Sequence, residues 1–154
     1  AAEAGISRAS VYYYFPDKEK LLLGYVEYEM GNYLDRLTRK LDEAQTPVEK
    51  LRIYVREQLG AKRGYLMSPG APLRELISRE TALALRQHVE ATGNVLRRIL
   101  AECVEAGAIP GQDLDVTVQL IHGALSGRRI PREEPERTAF FTATERFILR
   151  SVGA

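Results

Sequence analysis

Apolar side chains recur along most of this chain at intervals of three and four, the spacing that lines one face of an α-helix. Leu22, Val26, Met30, Tyr33, Leu37 and Leu41 form such a stripe and predict a long helix over about 18–44. Thr46-Pro47 opens a second helix: Thr46 is an N-cap, Pro47 suits the first turn, and Glu49 stands where a capping box needs a carboxylate. Val48, Leu51, Val55 and Leu59 line its inner face. The segment 64–72, GYLMSPGAP, breaks the period and reads as a loop. Helix resumes from about Leu73 and carries a second long stripe of Leu85, Val89, Thr92, Leu96, Ile99 and Cys103. Gly107, with Ile109 and Pro110 beyond it, ends that helix in the order expected of a glycine cap. Asp113 caps the next helix, with Val116, Leu120 and Ala124 turned inward. A charged connection over 126–134 leads to Pro135 at the first turn of a last helix. There Phe140, Phe141, Thr144, Phe147 and Ile148 form an apolar face. No strand pattern competes, so the expected fold class is all-α.

Residues 1–22, AAEAGISRASVYYYFPDKEKLL, carry the most specific signal. Ala1, Ala2, Glu3 and Ala4 are small or strong helix formers, which let a second helix cross closely. Gly5 ends that helix without steric cost, Ile6 fills the angle, and Ser7 caps the helix that follows over 8–15. Val11 and Phe15 share one face of it and point inward, leaving Arg8, Ala9, Ser10, Tyr12 and Tyr13 outward. An exposed short helix of this composition suits a DNA groove. Arg reads guanine, Ser bonds a base or a phosphate, the Ala methyl meets thymine, and tyrosine hydroxyls hold the backbone. An ordinary helical hairpin with a surface tyrosine cluster is the competing reading.

Ala4-Gly5-Ile6-Ser7, Val11-Tyr12-Tyr13-Tyr14-Phe15 and Asp17-Lys18-Glu19-Lys20-Leu21-Leu22 together resemble, in order and spacing, the TetR (tetracycline-repressor) family of transcriptional regulators. The resemblance implies that Arg8, Ala9 and Ser10 face base edges and that Tyr12, Tyr13 and Tyr14 contact the backbone. Lys18 then meets a phosphate, and Ser7 heads the same DNA-binding surface. It also implies a first helix and most of a second ahead of Ala1, so an N-terminally truncated head is expected. The domain reading is therefore a partial helix-turn-helix DNA-binding head over 1–24 and a helical regulatory, ligand-binding and dimerisation domain over 25–154.

Charge adds little support. The net charge is +1, and residues 1–20 hold three positive and three negative side chains, short of the basic footprint usual for a DNA binder. A dimer with a few contacts on each half-site meets that objection. The 45% hydrophobic and 28% charged composition is ordinary for a globular domain, and no apolar run approaches the length that spans a membrane. The single cysteine, Cys103, excludes an internal disulfide and fits a reducing cytoplasm, the expected location.

A regulator of this kind needs an effector pocket, mostly apolar with a few polar groups. Tyr54, Met67, His88, Thr92, Cys103 and His122 are the candidates, because they place polar or soft atoms on otherwise apolar helices. His88, His122 and Cys103 lack paired ligand spacing, so no metal and no cofactor are expected. The chain has no G-x-S-x-G elbow, P-loop or dinucleotide fingerprint, so it does not read as an enzyme. By resemblance, the last two helices form a four-helix homodimer interface, with Leu120, Gly123, Ala124, Gly127, Phe140, Phe141, Thr144, Phe147 and Ile148 as candidate contacts. The expected function is a ligand-responsive repressor, released from a pseudo-palindromic operator by a small molecule. The alternative is a helical small-molecule-binding or protein-interaction module without DNA binding.

Overall fold

The computed structural model describes residues 18–61, 79–126 and 130–154, and over these it contains five α-helices and no strand. They are α1 (Lys18–Asp42), α2 (Pro47–Gly60), α3 (Arg79–Glu105), α4 (Leu114–Leu125) and α5 (Glu136–Val152). The all-α expectation holds, and α1 ends two residues short of the boundary drawn from the sequence. The expected loop over 64–72 and the resumption at Leu73 lie outside the described residues.

The helix ends follow local chemistry. The Thr46 hydroxyl accepts the Glu49 N–H at 3.2 Å, and Pro47 occupies the first turn. The Glu49 carboxylate reaches back to the Gln45 N–H at 2.8 Å, so the capping box closes one residue ahead of the cap itself. Asp113 accepts the N–H groups of both Asp115 and Val116 at 3.0 Å. Helix α3 stops at Gly107, whose φ of 66° is left-handed, with Ala108 N–H returning to Cys103 O at 2.9 Å and Gly107 N–H to Val104 O at 3.0 Å. Helix α5 stops the same way at Gly153, φ 87°. A Cβ there would lie 2.7 Å from Pro110 Cδ, so the two helix ends pack against each other only because this residue is glycine.

Helix α3 packs against α1, α2 and α4, and α2 packs in addition against α5. The core they enclose includes Leu37, Leu51, Tyr54, Val55, Leu96, Leu100, Cys103, Ile121 and Ile148. Leu51, Val55 and Leu59 of the expected α2 face are buried, and Val48 packs beside them. Tyr33 and Leu37 are the buried members of the α1 stripe, while the side chains of Leu22 and Val26 lie outside the description.

Two face assignments are corrected. Val89 was expected inward and is 59% exposed, although Thr92, Leu96, Ile99 and Cys103 of the same stripe are buried. In α4 the buried set is Thr117, Ile121 and Leu125, whereas Val116 and Leu120 are 50% and 69% exposed and Ala124 is half-buried. This helix carries two apolar rows one residue apart. Periodicity alone does not say which row faces the body, and packing against α3 selects the second.

Ion pairs fasten the helices from outside. Arg52 and Arg56 of α2 both bond Glu145 of α5, which is buried. Lys50 pairs with Glu102 at 2.7 Å, Arg36 and Lys40 of α1 share Glu57 of α2, and Arg97 pairs with Asp115 at 2.7 Å. The hydrogen bond and then the charge of Arg97 hold the Asp115 carboxyl below its ordinary pKa.

Cys103 has no exposed surface, and burial, reinforced by the charge of Glu102, pushes its thiol pKa up. Few thiolates form and none is accessible, so alkylation needs opening of the core. At about pH 8, native Cys103 should react with a thiol reagent more than about a hundredfold more slowly than in denaturant. Labelling followed by mass spectrometry checks this, and comparable rates would place Cys103 at the surface.

Candidate functional site

The centre of the helical body holds a short run of polar side chains inside an apolar shell. Tyr54 is there because it shares the inner face of α2 with Leu51 and Val55, and it has no solvent exposure. A buried phenol needs partners for its hydroxyl. It donates to the Thr92 carbonyl oxygen of α3 at 3.1 Å, and it lies 2.6 Å from His122 Nε2 of α4. The tyrosine and imidazole rings are nearly parallel, with 6.2 Å between centroids. With the phenol proton on the carbonyl, the contact with Nε2 is a hydrogen bond only when that nitrogen carries a proton. Gly93 lies beside this group, and a Cβ built there would touch His122 Cε1 at 3.7 Å.

The run continues towards α1. The Thr92 hydroxyl donates to the carbonyls of His88 and Val89, both at 3.0 Å, which keeps it occupied within α3. The Tyr33 ring of α1 stands edge-on to the His88 ring, with centroids 5.8 Å apart and planes at 70°. The Tyr33 hydroxyl accepts from Gln58 Nε2 of α2 at 2.7 Å, and Arg36 stacks over the Tyr33 ring at 5.6 Å. Four helices thus contribute to one connected polar seam. Such a seam orients the polar end of a hydrophobic guest, or rearranges when one enters.

Of the residues singled out in the sequence, Tyr54, His88, Thr92 and His122 come together here. Cys103 does not: it lies eleven residues beyond Thr92 on α3, about 16 Å further along the axis, within the aliphatic core. Met67 lies outside the described residues, as do Ser7, Arg8, Ala9, Ser10, Tyr12, Tyr13 and Tyr14 and the side chain of Lys18. Tyr33 and Gln58 are additions. Gln58 stands four residues after Tyr54, on the same helical face, and a polar residue in that position was the signal available for it. The described residues contain no cluster of His, Cys, Asp and Glu able to hold a metal ion. No helix among them is long and apolar enough to cross a membrane.

The residues named for an interface divide. Leu120 and Phe147 are 69% and 61% exposed, and Gly123 is exposed. Ala124, Phe140, Phe141 and Thr144 are half-buried. Ile148 is wholly inside the protomer, where it belongs to the core, and so offers nothing to a partner. Gly127 lies outside the described residues. Phe147 also helps line a surface groove with Ala143, Arg146, Arg150 and Ser151.

Comparison with known proteins gives a family match at the start of the chain and a fold for the whole. The model of bacterial regulatory proteins of the tetR family matches residues 1–25. The fatty acid metabolism regulator protein of Bacillus subtilis (strain 168) is 28% identical over 130 residues, which cover 81% of this chain and 66% of that protein. The chain therefore spans just under two thirds of that relative's length. The fatty acid degradation regulator FadR of Bacillus halodurans superposes with a TM-score of 0.70 at 22% identity, over 95% of this chain and 82% of that one. FadR of Bacillus subtilis, solved in complex with stearoyl-CoA, gives 0.63 at 22% identity, over 99% and 83%. A tetR-family regulatory protein from Rhodococcus RHA1 gives 0.72 at 19% identity, over 100% and 84%.

Removing only the Tyr54 hydroxyl leaves a buried carbonyl and a histidine nitrogen short of a partner. Tyr54→Phe is therefore expected to cost about 1–3 kcal/mol of stability. Urea unfolding measures this, and an unchanged midpoint would show that the hydroxyl does not hold the seam together.

Proposed function

We propose that the chain belongs to the TetR family of bacterial regulatory proteins, whose model matches residues 1–25, and that the intact protein is a transcriptional regulator whose grip on DNA is set by a small hydrophobic effector. The observation that carries this reading is helix α1. Its first residues lie inside the segment matched by the family model, and its later residues are built into the helical body. One rigid element therefore joins a DNA-binding motif to a buried polar seam. An effector that changes how α1 sits alters the spacing of two recognition helices, and operator affinity falls.

Arg8, Ala9 and Ser10 read base edges in this proposal, with Ser7 heading the helix. Tyr12, Tyr13, Tyr14 and Lys18 hold the backbone. The effector is of the long-chain acyl-CoA class, bound against the seam of Tyr54, His88, Thr92 and His122. Two features support this: the fatty-acid regulators among the relatives, one of them solved with stearoyl-CoA, and an apolar core interrupted by only a few polar groups. The protein acts as a homodimer through the outer faces of α4 and α5. Val116, Leu120 and Phe147 expose large apolar surface there, and Gly123 allows close approach. Two copies place two recognition helices on half-sites one DNA turn apart.

Selection from random duplex DNA with the intact protein should enrich an inverted repeat, and added stearoyl-CoA should release the protein from it. Arg8→Ala should cost about 1–3 kcal/mol and relax preference at one base pair, while Lys18→Ala weakens all sequences alike and lowers the salt slope by about one. Salt-sensitive binding with no enriched sequence would overturn the reading. At the interface, Leu120→Asp should convert the dimer to a monomer in sedimentation while leaving the protomer helical, since Leu120 makes little use of the protomer core. A variant that stays dimeric would move the interface elsewhere.

A further inference from the structure

We infer that the Tyr33–Gln58 hydrogen bond is the joint through which the effector seam governs α1, so that it sets the coupling between effector and DNA rather than the affinity for either. The inference rests on the functional reading above and names the residues that carry its regulation.

Among the described side chains of α1, Tyr33 is the buried one nearest the head; from Met30 back to Lys20 they are exposed or half-buried. Among the described side chains, Tyr33 is thus the first at which α1 enters the core. The part of the helix ahead of it, from Lys18, is a lever of fifteen residues, about 22 Å long. A tilt of about 5° at Tyr33 moves the head end by about 2 Å, comparable to the element shifts that switch other proteins.

Tyr33 is held by a contact that is both directional and buried, and the contacts of its neighbours lack one or the other. Leu37 is held by apolar packing, which tolerates sliding. The pairs of Arg36 and Lys40 with Glu57 involve cations about half exposed, at 48% and 49%, and water competes with them. The Tyr33–Gln58 bond is different: both residues are buried, the separation is 2.7 Å, and it ties α1 to the helix that carries Tyr54 one turn earlier. On its other side the Tyr33 ring meets His88, whose carbonyl accepts the Thr92 hydroxyl, and the Thr92 carbonyl accepts Tyr54. A guest that displaces His122 or Tyr54 acts on both supports of Tyr33 at once, through α2 and through α3.

Spatial connection alone does not demonstrate coupling, so the test measures coupling itself. The full-length protein is used with the operator obtained by selection and with stearoyl-CoA as probe. Operator dissociation constants are measured without stearoyl-CoA and at saturation, and their ratio is the coupling factor. The wild-type factor is expected at about tenfold or more. Tyr33→Phe keeps the ring, its edge contact with His88 and the Arg36 stacking, and should bring the factor to within about twofold of one. The change in coupling should exceed the change in either affinity alone. Tyr33→Phe combined with Gln58→Leu removes both ends of the bond, so it recovers stability relative to the single variants while the coupling stays lost. That combination separates a joint from a merely structural contact, which would recover both. A wild-type factor of one overturns the functional reading and this inference with it. A wild-type factor well above one that persists in Tyr33→Phe and in the double variant overturns this inference alone.

Discussion

A phenol shut away from water must find its hydrogen bonds among its neighbours, and Tyr54 imposes that demand on the whole helical body. Its aromatic ring buries well, but its hydroxyl does not unless α3 and α4 come to meet it. Thr92 supplies a carbonyl oxygen with a second lone pair, and His122 supplies a ring nitrogen. Three helices are thereby set in axial register. The aliphatic residues around them, Leu51, Val55, Leu96, Leu100 and Ile121, provide most of the burial. Burial alone is non-directional, so it would accept many registers that the hydrogen bonds do not.

How much of this was readable beforehand depends on the range over which each cause acts. The caps at Thr46 and Asp113 and the stop at Gly107 are settled within a few residues, and all appear where the residues call for them. The head motif of residues 1–22 was likewise a local signal, and the family model match falls on it, over residues 1–25. Tyr54, His88, Thr92 and His122 stood out because polar atoms on apolar helices are costly unless they are used. Their meeting was not readable, because it depends on how three helices cross. Gln58 and Glu145 were passed over although each stands four residues from a recognised inward position, Gln58 after Tyr54 and Glu145 after Phe141. Neither type of side chain signals the interior on its own, and both are buried by their position.

The row assignment on α4 was the clearest miss, and it has a physical reading. A helix whose only apolar contact is with its own chain needs one row. Helix α4 has two, Thr117, Ile121 and Leu125 against the body and Val116 and Leu120 against solvent. Choosing the outer row as the inner one follows naturally from a pattern that does not say which surface is the partner's. In the proposed dimer both rows are used. His122 then lies next in sequence to both, adjoining Ile121 of the core row and Gly123 of the outer surface.

That arrangement determines which helix yields when the seam is disturbed. Helix α4 in the proposed dimer is covered on both sides. Helix α5 is bolted to α2 by Arg52 and Arg56 on a buried Glu145, and its end is locked against Pro110 at Gly153. Helix α2 is pinned to α3 by Lys50 and Glu102 as well as by Tyr54. Helix α1 is fastened from outside by half-exposed cations sharing one glutamate, each contributing no more than about 1 kcal/mol, and among its described side chains Tyr33 and Leu37 are buried. In the proposed mechanism, strain introduced at the centre is passed to α1, whose first turns lie within the segment matched by the tetR-family model. In that proposal the buried pairs that tie α2, α3 and α5 together keep the body fixed, and a change at Tyr54 reaches the head through Gln58 and Tyr33.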